Sequence, residues 1–424
     1  MEYKEKEIQE GIKVHIINTE NFKTNLISVF LTTELNSENV TKNSLVSAVL
    51  RRGSKTMKTQ EEISKQMEDM YGASFDCGLD KTGDNQVLKF YIETLNDKFL
   101  PHEGENLLKK SLEKLFEIVF NPLIEKESFK DEYVEQEKNN VKQRIEGKID
   151  NKARYALDRC IEEMYKNEPF GLYKFGYIED LEKIDCKNLY EYYKKLISNC
   201  KIDIFISGTF DNKKIENEIF NNKDIIKLAK RNAKYNKLEN QKRETKEENI
   251  VIESMDVSQG KLVLGLNVNI EDEDLKYDVM IYNSILGGTA NSKMFQNVRE
   301  KANLAYVASS SYLRYKNNIF INCGIEIKNY EKALELIRLQ IQDMEKGNFS
   351  EVDIENAKKG IIANIKTIED EQDTGISYYF GQEMTNKNIT LQEYIDRINK
   401  VTKESIVNVA KNISIDTIYF LKNN

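Results

Sequence analysis

The sequence predicts an α+β fold with two homologous α+β domains, each a mainly antiparallel sheet packed with helices, joined by a charged linker. Three observations support this prediction. The 424 residues exceed the usual size of one domain. Strand-like and helix-like stretches follow in the same order in both halves, at a period much too long for a solenoid. Between the halves lies a charged stretch without an apolar face.

Each half opens with a strand followed by an apolar-faced helix. Residues 24–33 alternate in polarity and contain β-branched side chains, which is typical of a strand. The helix after this strand ends near Gly53. In the second half, residues 261–270 form the matching strand, and the next helix ends at Gly287 and Gly288, the residue type that most often terminates a helix.

A further strand and a pair of long helices complete each half. The strands are predicted at 86–95 and 317–327. The helical pairs, at 104–147 and 330–371, each break at a turn and restart with acidic residues, which stabilise a helix N-terminus. The matching order of elements indicates a duplicated domain.

The charged stretch between the halves sets the domain boundaries. It is rich in Lys, Arg, Glu and Asn and has no periodic apolar positions, as expected of a linker. We therefore predict an N-terminal domain at 1–221, a linker at 222–248 and a C-terminal domain at 249–424.

The composition indicates a cytoplasmic protein that binds neither nucleic acid nor membrane. The net charge is -8, with acidic and basic residues interleaved. The N-terminus lacks an apolar signal segment, and no run of about 18 apolar residues occurs. The five cysteines are scattered, which favours reduced thiols. The two histidines, His15 and His102, lie far apart in the sequence, and we expect neither to bind metal or act as a catalytic base.

Residues 286–306 form the most specific motif of the chain. They read LGGTANSKMFQNVREKANLAY, with Arg299 at the end of a helical stretch and Tyr306 on the strand after it. Together with the duplicated framework, this motif resembles the insulinase/pitrilysin metallopeptidases, or inverted zincins, and especially mitochondrial processing peptidase and its bacterial relatives. The resemblance covers essentially the whole chain.

Active members of that family carry H-x-x-E-H on the first long helix, where two histidines bind zinc and the glutamate activates water. The resemblance places this motif on Ser44-Leu45-Val46-Ser47-Ala48. Ser44 and Ala48 replace the histidines, and Ser47 replaces the general base. Downstream, Glu137 and Arg144 occupy the positions of a conserved glutamate and of the last zinc ligand. Since Arg has no lone pair to donate, the resemblance implies a metal-free chain that is inactive alone.

Arg144 has two possible roles. Its guanidinium can replace the metal charge by pairing with Glu137, two helical turns earlier, and by bonding to Ser44 or Ser47. Alternatively, it points to solvent on an ordinary charged helix.

The resemblance also assigns a role to Arg299 and Tyr306. In the family, an equivalent pair binds substrate next to the scissile bond, and both side chains can grip a peptide carbonyl. Alternatively, Arg299 pairs with Glu300, and Tyr306 is a half-buried aromatic of a strand.

These features predict a non-catalytic subunit of a heterodimeric zinc endopeptidase. The partner is expected to be a paralogous chain with intact H-x-x-E-H and zinc, and the substrate an extended peptide paired with a sheet edge, for which residues 89–93 are one candidate. No cofactor is expected in this chain, and a homodimer is possible without the partner. The alternatives are a peptide-binding or structural scaffold without a proteolytic role, and a partner in maturing a ribosomally made peptide.

Overall fold

The computed structural model describes residues 2–101, 105–228, 231–238, 243, 247–270 and 272–424. The described residues form an α+β structure that divides into two compact units. The first unit contains Met1–Glu146, Leu172–Lys237 and Ile368–Gly381, and the second contains Gly147–Gly171, Leu238–Thr367 and Gln382–Asn424. The predicted fold class is confirmed.

The sheet of the first unit has six strands. The strands of this unit are β1 (Glu2–Gln9), β2 (Ile12–Asn18), β3 (Thr24–Glu34), β4 (Ser74–Thr82), β5 (Asn85–Leu95), β6 (Ile124–Glu125), β7 (Ser128–Phe129) and β8 (Lys201–Gly208). β6 and β7 form a separate short hairpin. The six-stranded sheet has the order β1-β2-β8-β3-β5-β4, in which only the β2–β8 pair is parallel.

The sheet of the second unit has five strands. They are β9 (Asn249–Ser254), β10 (Gly260–Val268), β11 (Ala305–Leu313), β12 (Asn318–Ile325) and β13 (Ile413–Lys422). Their order is β11-β12-β10-β13-β9, and only the β13–β9 pair is parallel. Both sheets are therefore mainly antiparallel, as predicted.

The helices follow the predicted order in both halves. In the first half they are α1 (Val40–Leu50), α2 (Gln60–Asp69), α3 (Leu107–Phe120), α4 (Asp131–Glu146), α5 (Lys152–Met164), α6 (Ile178–Leu181), α7 (Cys186–Asn199), α8 (Asn212–Phe220) and α9 (Lys223–Lys227). In the second half they are α10 (Lys276–Asn283), α11 (Tyr330–Glu345), α12 (Glu351–Lys366), α13 (Gln372–Met384), α14 (Leu391–Lys400) and α15 (Lys403–Ala410). None of these helices is both long and apolar enough to span a membrane.

The core of the first unit lies between one face of its sheet and the helices packed there. Ile27, Val29 and Leu31 alternate along β3 and belong to this core, because successive side chains of a strand point to opposite faces. Phe30 points to the other face, where its ring lies 5.1 Å from the ring of Phe380. Helical residues from 368–381 thus cover the second face of this sheet.

One hydrophobic cluster of the second unit is built around α5. Ala156, Cys160 and Met164 are buried on one side of this helix and pack with Val263, Phe320 and Tyr419 from the sheet. A Cβ atom at Gly265 would lie 2.8 Å from the sulfur of Met164, so the absence of a side chain at Gly265 leaves room for Met164 of the helix.

The compact units differ from the predicted contiguous domains. Gly147–Gly171 belongs to the second unit and Ile368–Gly381 to the first, so each half contributes one helical segment to the other unit. The predicted boundaries 1–221 and 249–424 miss this exchange, because the apolar stripe that buries a helix does not specify which sheet covers it. Within the predicted linker, Lys223–Lys227 forms α9, while 229–230, 239–242 and 244–246 lie outside the described residues, as does His102.

The predicted candidate edge at residues 89–93 is wrong. These residues lie in β5, which pairs with β3 on one side and β4 on the other. In the described part of the chain, the outer strands are β1 and β4 in the first unit and β11 and β9 in the second.

Candidate functional site

Helix α1 presents the first set of predicted site residues to the protein interior. Ser44 and Ser47 are buried and Ala48 is half-buried, while Leu45 and Val46 are fully buried on the rest of the helix. The hydroxyl of Ser44 has no hydrogen-bond partner among the described residues. The carbonyl of Ser47 accepts a weak bond from the Cys77 thiol of β4 at 3.7 Å. This face of α1 is therefore buried and carries small side chains without formal charge.

Glu137 of α4 is buried opposite this helix, and α1 and α4 pack together. Its partner is Arg52, just after the end of α1, whose Nη1 lies 3.4 Å from Glu137 Oε1. A second Arg52 nitrogen, Nη2, donates to Gln136, and the guanidinium lies 5.0 Å from the centre of the Tyr133 ring. An Arg–Glu ion pair thus joins α1 to α4.

The predicted pairing of Arg144 with Glu137 is wrong. Arg144 is exposed, and its guanidinium lies 4.9 Å from the centre of the Phe175 ring. Seven residues of α-helix span about 10.5 Å, so an Arg144–Glu137 contact requires the side chain to fold back along the helix. Arg52, just after the end of α1, reaches Glu137 directly and neutralises the charge of its carboxylate.

Arg299 lies on a π-helical segment, Met294–Lys301, in the second unit. Met294 and Val298 are buried and hold this segment in place, whereas Phe295 is only half-buried. The Arg299 guanidinium lies 4.4 Å from the centre of the Phe295 ring, and Arg299 Nε lies 3.5 Å from Glu300 Oε1. Because 42% of the Arg299 side chain is exposed, its donors remain accessible to a ligand.

Tyr306 lies on β11, an outer strand of the second sheet, and is 66% exposed. Ala305 pairs with Ile325 and Val307 with Gly324, so Tyr306 is the additional residue of a β-bulge. The bulge exposes both Tyr306 and Val307. β11 packs against the Met294–Lys301 segment, so Arg299 and Tyr306 belong to two elements in direct contact.

The first glycine of the motif allows that packing. Gly287 lies in a second π-helical segment, Ser284–Gly288, and a Cβ atom there would lie 2.6 Å from the backbone nitrogen and hydroxyl of Ser310 in β11. Neither Gly287 nor Gly288 has a positive φ. The close approach of the backbones, rather than an unusual backbone conformation, requires glycine at position 287.

Comparison with known proteins identifies the family. The chain is 36% identical over 418 residues to the "Probable inactive metalloprotease YmfF" of Bacillus subtilis (strain 168), covering 97% of this chain and 96% of that protein. The chain belongs to the M16, or insulinase, metallopeptidase family. The family model "Peptidase M16 inactive domain" matches residues 183–361 of this M16 homologue.

Other relatives agree with the fold. The "Uncharacterized zinc protease YmxG" of Bacillus subtilis (strain 168) is 23% identical over 290 residues, which cover 68% of this chain and 69% of that protein. A crystal structure of a conserved protein from Enterococcus faecalis V583 matches with a TM-score of 0.90 and 29% identity, over 100% of this chain and 99% of that one. A peptidase M16 inactive domain from Pseudomonas fluorescens has a TM-score of 0.79 at 17% identity, over 100% of this chain and 99% of that one.

The residues of this M16 homologue do not fit the zinc that the family implies. Catalytic zinc in proteins takes three His, Glu, Asp or Cys ligands, and Ser44, Ser47 and Ala48 offer none. Glu137, the buried carboxylate opposite them, is already paired with Arg52. Within the described chain, no group of three suitable ligand atoms includes any of these positions. The chain is thus an inactive homologue, and no reaction step runs through a metal here.

Sequence reasoning missed several features of the site. Arg52 gives no signal beyond being the second arginine of Arg51-Arg52-Gly53. The outer position of β4 follows from strand order, which local patterns do not encode.

Next to β4 the first unit also has two cavities. One, of about 540 Å³, is lined by four carboxylates, Asp76, Glu93, Glu371 and Asp373. The other, of about 520 Å³, lies between α2, the start of β4 and Arg51.

Proposed function

We propose that this M16 homologue is the non-catalytic subunit of a heterodimeric zinc endopeptidase. The observation that carries the proposal is the contrast between its two sets of site residues. The zinc-binding positions hold Ser44, Ser47 and Ala48, whereas Arg299 and Tyr306 are present and exposed on adjoining elements. A chain that has the proposed substrate-binding residues but no metal ligands needs a partner that holds the zinc and hydrolyses the peptide.

The proposed role of Arg299 and Tyr306 is to bind a peptide substrate. A guanidinium presents several rigid N–H donors, and a phenol presents a hydroxyl that donates and accepts, so both can hold peptide carbonyls. The Phe295 ring under Arg299 restricts the motion of the guanidinium, which lowers the entropy lost on binding. Substrate in an extended conformation can pair with an outer strand, where backbone hydrogen bonds provide affinity with little sequence preference.

The proposed partner is a paralogous chain with intact H-x-x-E-H that holds the zinc. One bacterium, Bacillus subtilis (strain 168), has a relative named as a probable inactive metalloprotease and another named as a zinc protease. Their coexistence supports a division of labour between an inactive and a zinc-bearing chain. Both subunits are proposed to work in the cytoplasm.

The test begins with a pull-down of the tagged chain from its native cells. The expected result is co-purification of an M16 protein of similar length with H-x-x-E-H, and peptidase activity of the pair. Arg299→Ala in this subunit should lower kcat/KM by about tenfold or more, since a lost hydrogen bond from a charged group is worth about 1.5–3 kcal/mol. Tyr306→Phe should lower kcat/KM by about two- to tenfold, since a lost hydrogen bond between neutral groups is worth about 0.5–1.5 kcal/mol.

Matched controls separate this role from folding. Arg154→Ala and Tyr71→Phe change an exposed arginine and an exposed tyrosine elsewhere and should leave kcat/KM unchanged. Arg299→Ala and Tyr306→Phe should change the free energy of unfolding by less than about 0.5 kcal/mol, because both side chains are exposed. If no zinc-bearing partner is captured and no substitution affects proteolysis, the scaffold alternative is correct instead.

A further inference from the structure

The second unit contains a basic cluster that the proposed peptidase role does not use. We define it by four side chains, Lys276, Arg314, Lys387 and Arg397. Two carboxylates bridge them, and a third, Glu393, lies close to Arg397. Glu273 accepts from Lys276 at 2.7 Å and from Lys387 at 2.9 Å. Asp274 pairs with Arg397 and lies 3.7 Å from Lys387.

Arg314 differs from the other three cations because it has no carboxylate partner among the described residues. Its Nη2 donates to the hydroxyl of Tyr315 at 2.7 Å, and its guanidinium lies 4.8 Å from the centre of that ring. The hydroxyl of Tyr394 is its second hydrogen-bonding partner. The two phenol groups accept hydrogen bonds from some N–H groups of the guanidinium but do not neutralise its charge.

The cluster holds more positive than negative charge. Its other three cations face three carboxylates, Glu273, Asp274 and Glu393, which leaves the charge of Arg314 unmatched. Burial lowers the pKa of Lys276, and the nearby charges of Lys387 and Arg314 lower it further against the opposing effect of Glu273. Holding like charges together in a partly buried place is unfavourable, and a bound anion relieves the repulsion.

Two tyrosine rings also lie next to the basic cluster. The ring of Tyr394 meets the ring of Tyr277 edge-on at 5.2 Å, and the Arg397 guanidinium lies 5.5 Å from the centre of the Tyr277 ring. These aromatic contacts limit the freedom of the Arg397 side chain. A rigid set of donors binds an anion with less entropy loss than flexible surface lysines do.

We propose that the basic cluster binds an oxyanion, a carboxylate or a phosphate group, between Arg314 and the ammonium groups of Lys276 and Lys387. Arginine matches the paired oxygens of either group with two parallel N–H donors, and lysine adds point charge. The rim is open to such a ligand, because 27% of the Lys387 side chain and 33% of the Arg397 side chain are exposed. The inference does not depend on the proposed peptidase role.

Two sources share this chemistry, and the experiment distinguishes them. The probes are inorganic phosphate and a short peptide with a free C-terminal carboxylate, with the same peptide amidated as the neutral counterpart. Binding is measured by titration calorimetry on the full chain at constant ionic strength, adjusted with sodium chloride. Saturable binding of phosphate alone indicates a phosphate-type ligand. Saturable binding of the free-acid peptide but not of the amide indicates a peptide terminus. Either result supports the oxyanion site.

Two variants connect binding to the cluster. Arg314→Gln and Lys387→Gln should each weaken binding of the active probe by about tenfold or more, since each removes a charge-assisted contact. Lys387 is at the open rim, so its replacement keeps the test valid even if the Arg314 variant fails to fold. Lys328→Gln, which removes a highly exposed lysine elsewhere in the unit, should leave the affinity unchanged. The proposal is overturned if neither probe binds saturably, or if Lys387→Gln binds as tightly as the parent chain.

Discussion

The guanidinium of Arg52 and the carboxylate of Glu137 lie 3.4 Å apart and join the end of α1 to α4. The family resemblance implies that zinc ligands of active members come from two such helices. Here an ion pair between an almost buried carboxylate and a partly buried arginine connects them instead. This relationship leads to the first prediction.

Glu137→Gln should destabilise the chain by about 1–3 kcal/mol, because it leaves the partly buried charge of Arg52 without its counterion. Urea unfolding followed by far-UV circular dichroism measures the effect. Arg144→Gln on the same helix is the matched control. It removes an exposed guanidinium that lies 4.9 Å from the centre of the Phe175 ring, so it should cost less than about 1 kcal/mol. Equal effects of the two substitutions would contradict the assignment of Arg52 as the partner of Glu137.

The purified chain should contain far less than one zinc ion per molecule by elemental analysis. The reason is chemical, since the side chains at the zinc positions lack donor atoms. Replacing Ser44→His, Ser47→Glu and Ala48→His together gives α1 the ligand types of H-x-x-E-H opposite the buried Glu137 and should raise the zinc content above that of the parent chain. Ser47→Glu alone is the control and should bind none tightly. Stoichiometric zinc in the unmodified chain would refute the metal-free assignment.

Acid should destabilise the first unit through Asp203. This buried carboxylate lies 3.0 Å from His15 Nε2 and pairs with Lys201. Burial acts to raise its pKa, but the charge of Lys201 and the hydrogen bond from His15 outweigh burial and lower the pKa to about 2. Because the folded-state pKa is depressed, Asp203 stabilises the fold above its usual pKa of about 3.9. That contribution is lost as the pH falls towards 2.

The ionised carboxylate of Asp203 contributes roughly 2 kcal/mol to the free energy of unfolding by proton linkage. The free energy of unfolding of the parent chain should therefore fall more steeply between about pH 4 and pH 2 than that of Asp203→Asn, which has no carboxylate to protonate there. Urea titrations at several pH values provide the comparison. Parallel curves for the two proteins would show that Asp203 is not the group responsible.

Gly287→Ala should lower stability by about 1–3 kcal/mol, because the added methyl group would lie 2.6 Å from the backbone and hydroxyl of Ser310. Gly288→Ala is the matched control, since the nearest atom to its methyl group is 3.3 Å away and the overlap is smaller. Thermal unfolding of both variants measures the difference. A larger effect at Gly288 would show that the approach to β11 is not the reason for the glycine pair.

Much of the fold follows from local sequence pattern. The strand β3 and the helix α1 were expected from alternation and from an apolar face, and the corresponding elements β10 and α10 occur in the same order. Such periodicities are set by the pitch of a helix and the pleat of a strand, so they can be recognised without the fold. The exchange of α5 between the halves depends on which sheet buries it, and that is a long-range choice.

The candidate site divides in the same way. Arg299 and Tyr306 were found from the motif and lie on contacting elements. The bulge that exposes Tyr306 and Val307 together depends on the register of β11 against β12, which the motif does not specify. Arg144 has the right charge but the wrong position, since charge can be read from a residue's identity whereas its partner depends on packing.

The sequence by itself determined that the metal positions of this M16 homologue carry no zinc ligands, because donor atoms belong to residue types and do not change with folding. It also determined the duplicated α+β framework, because periodicity is local. Tertiary structure decided that Arg52 neutralises Glu137, that β4 and β11 are outer strands, and that three other cations lie in one cluster with Arg314. These outcomes depend on contacts between residues far apart in sequence, and only close packing of the folded chain selects among such contacts.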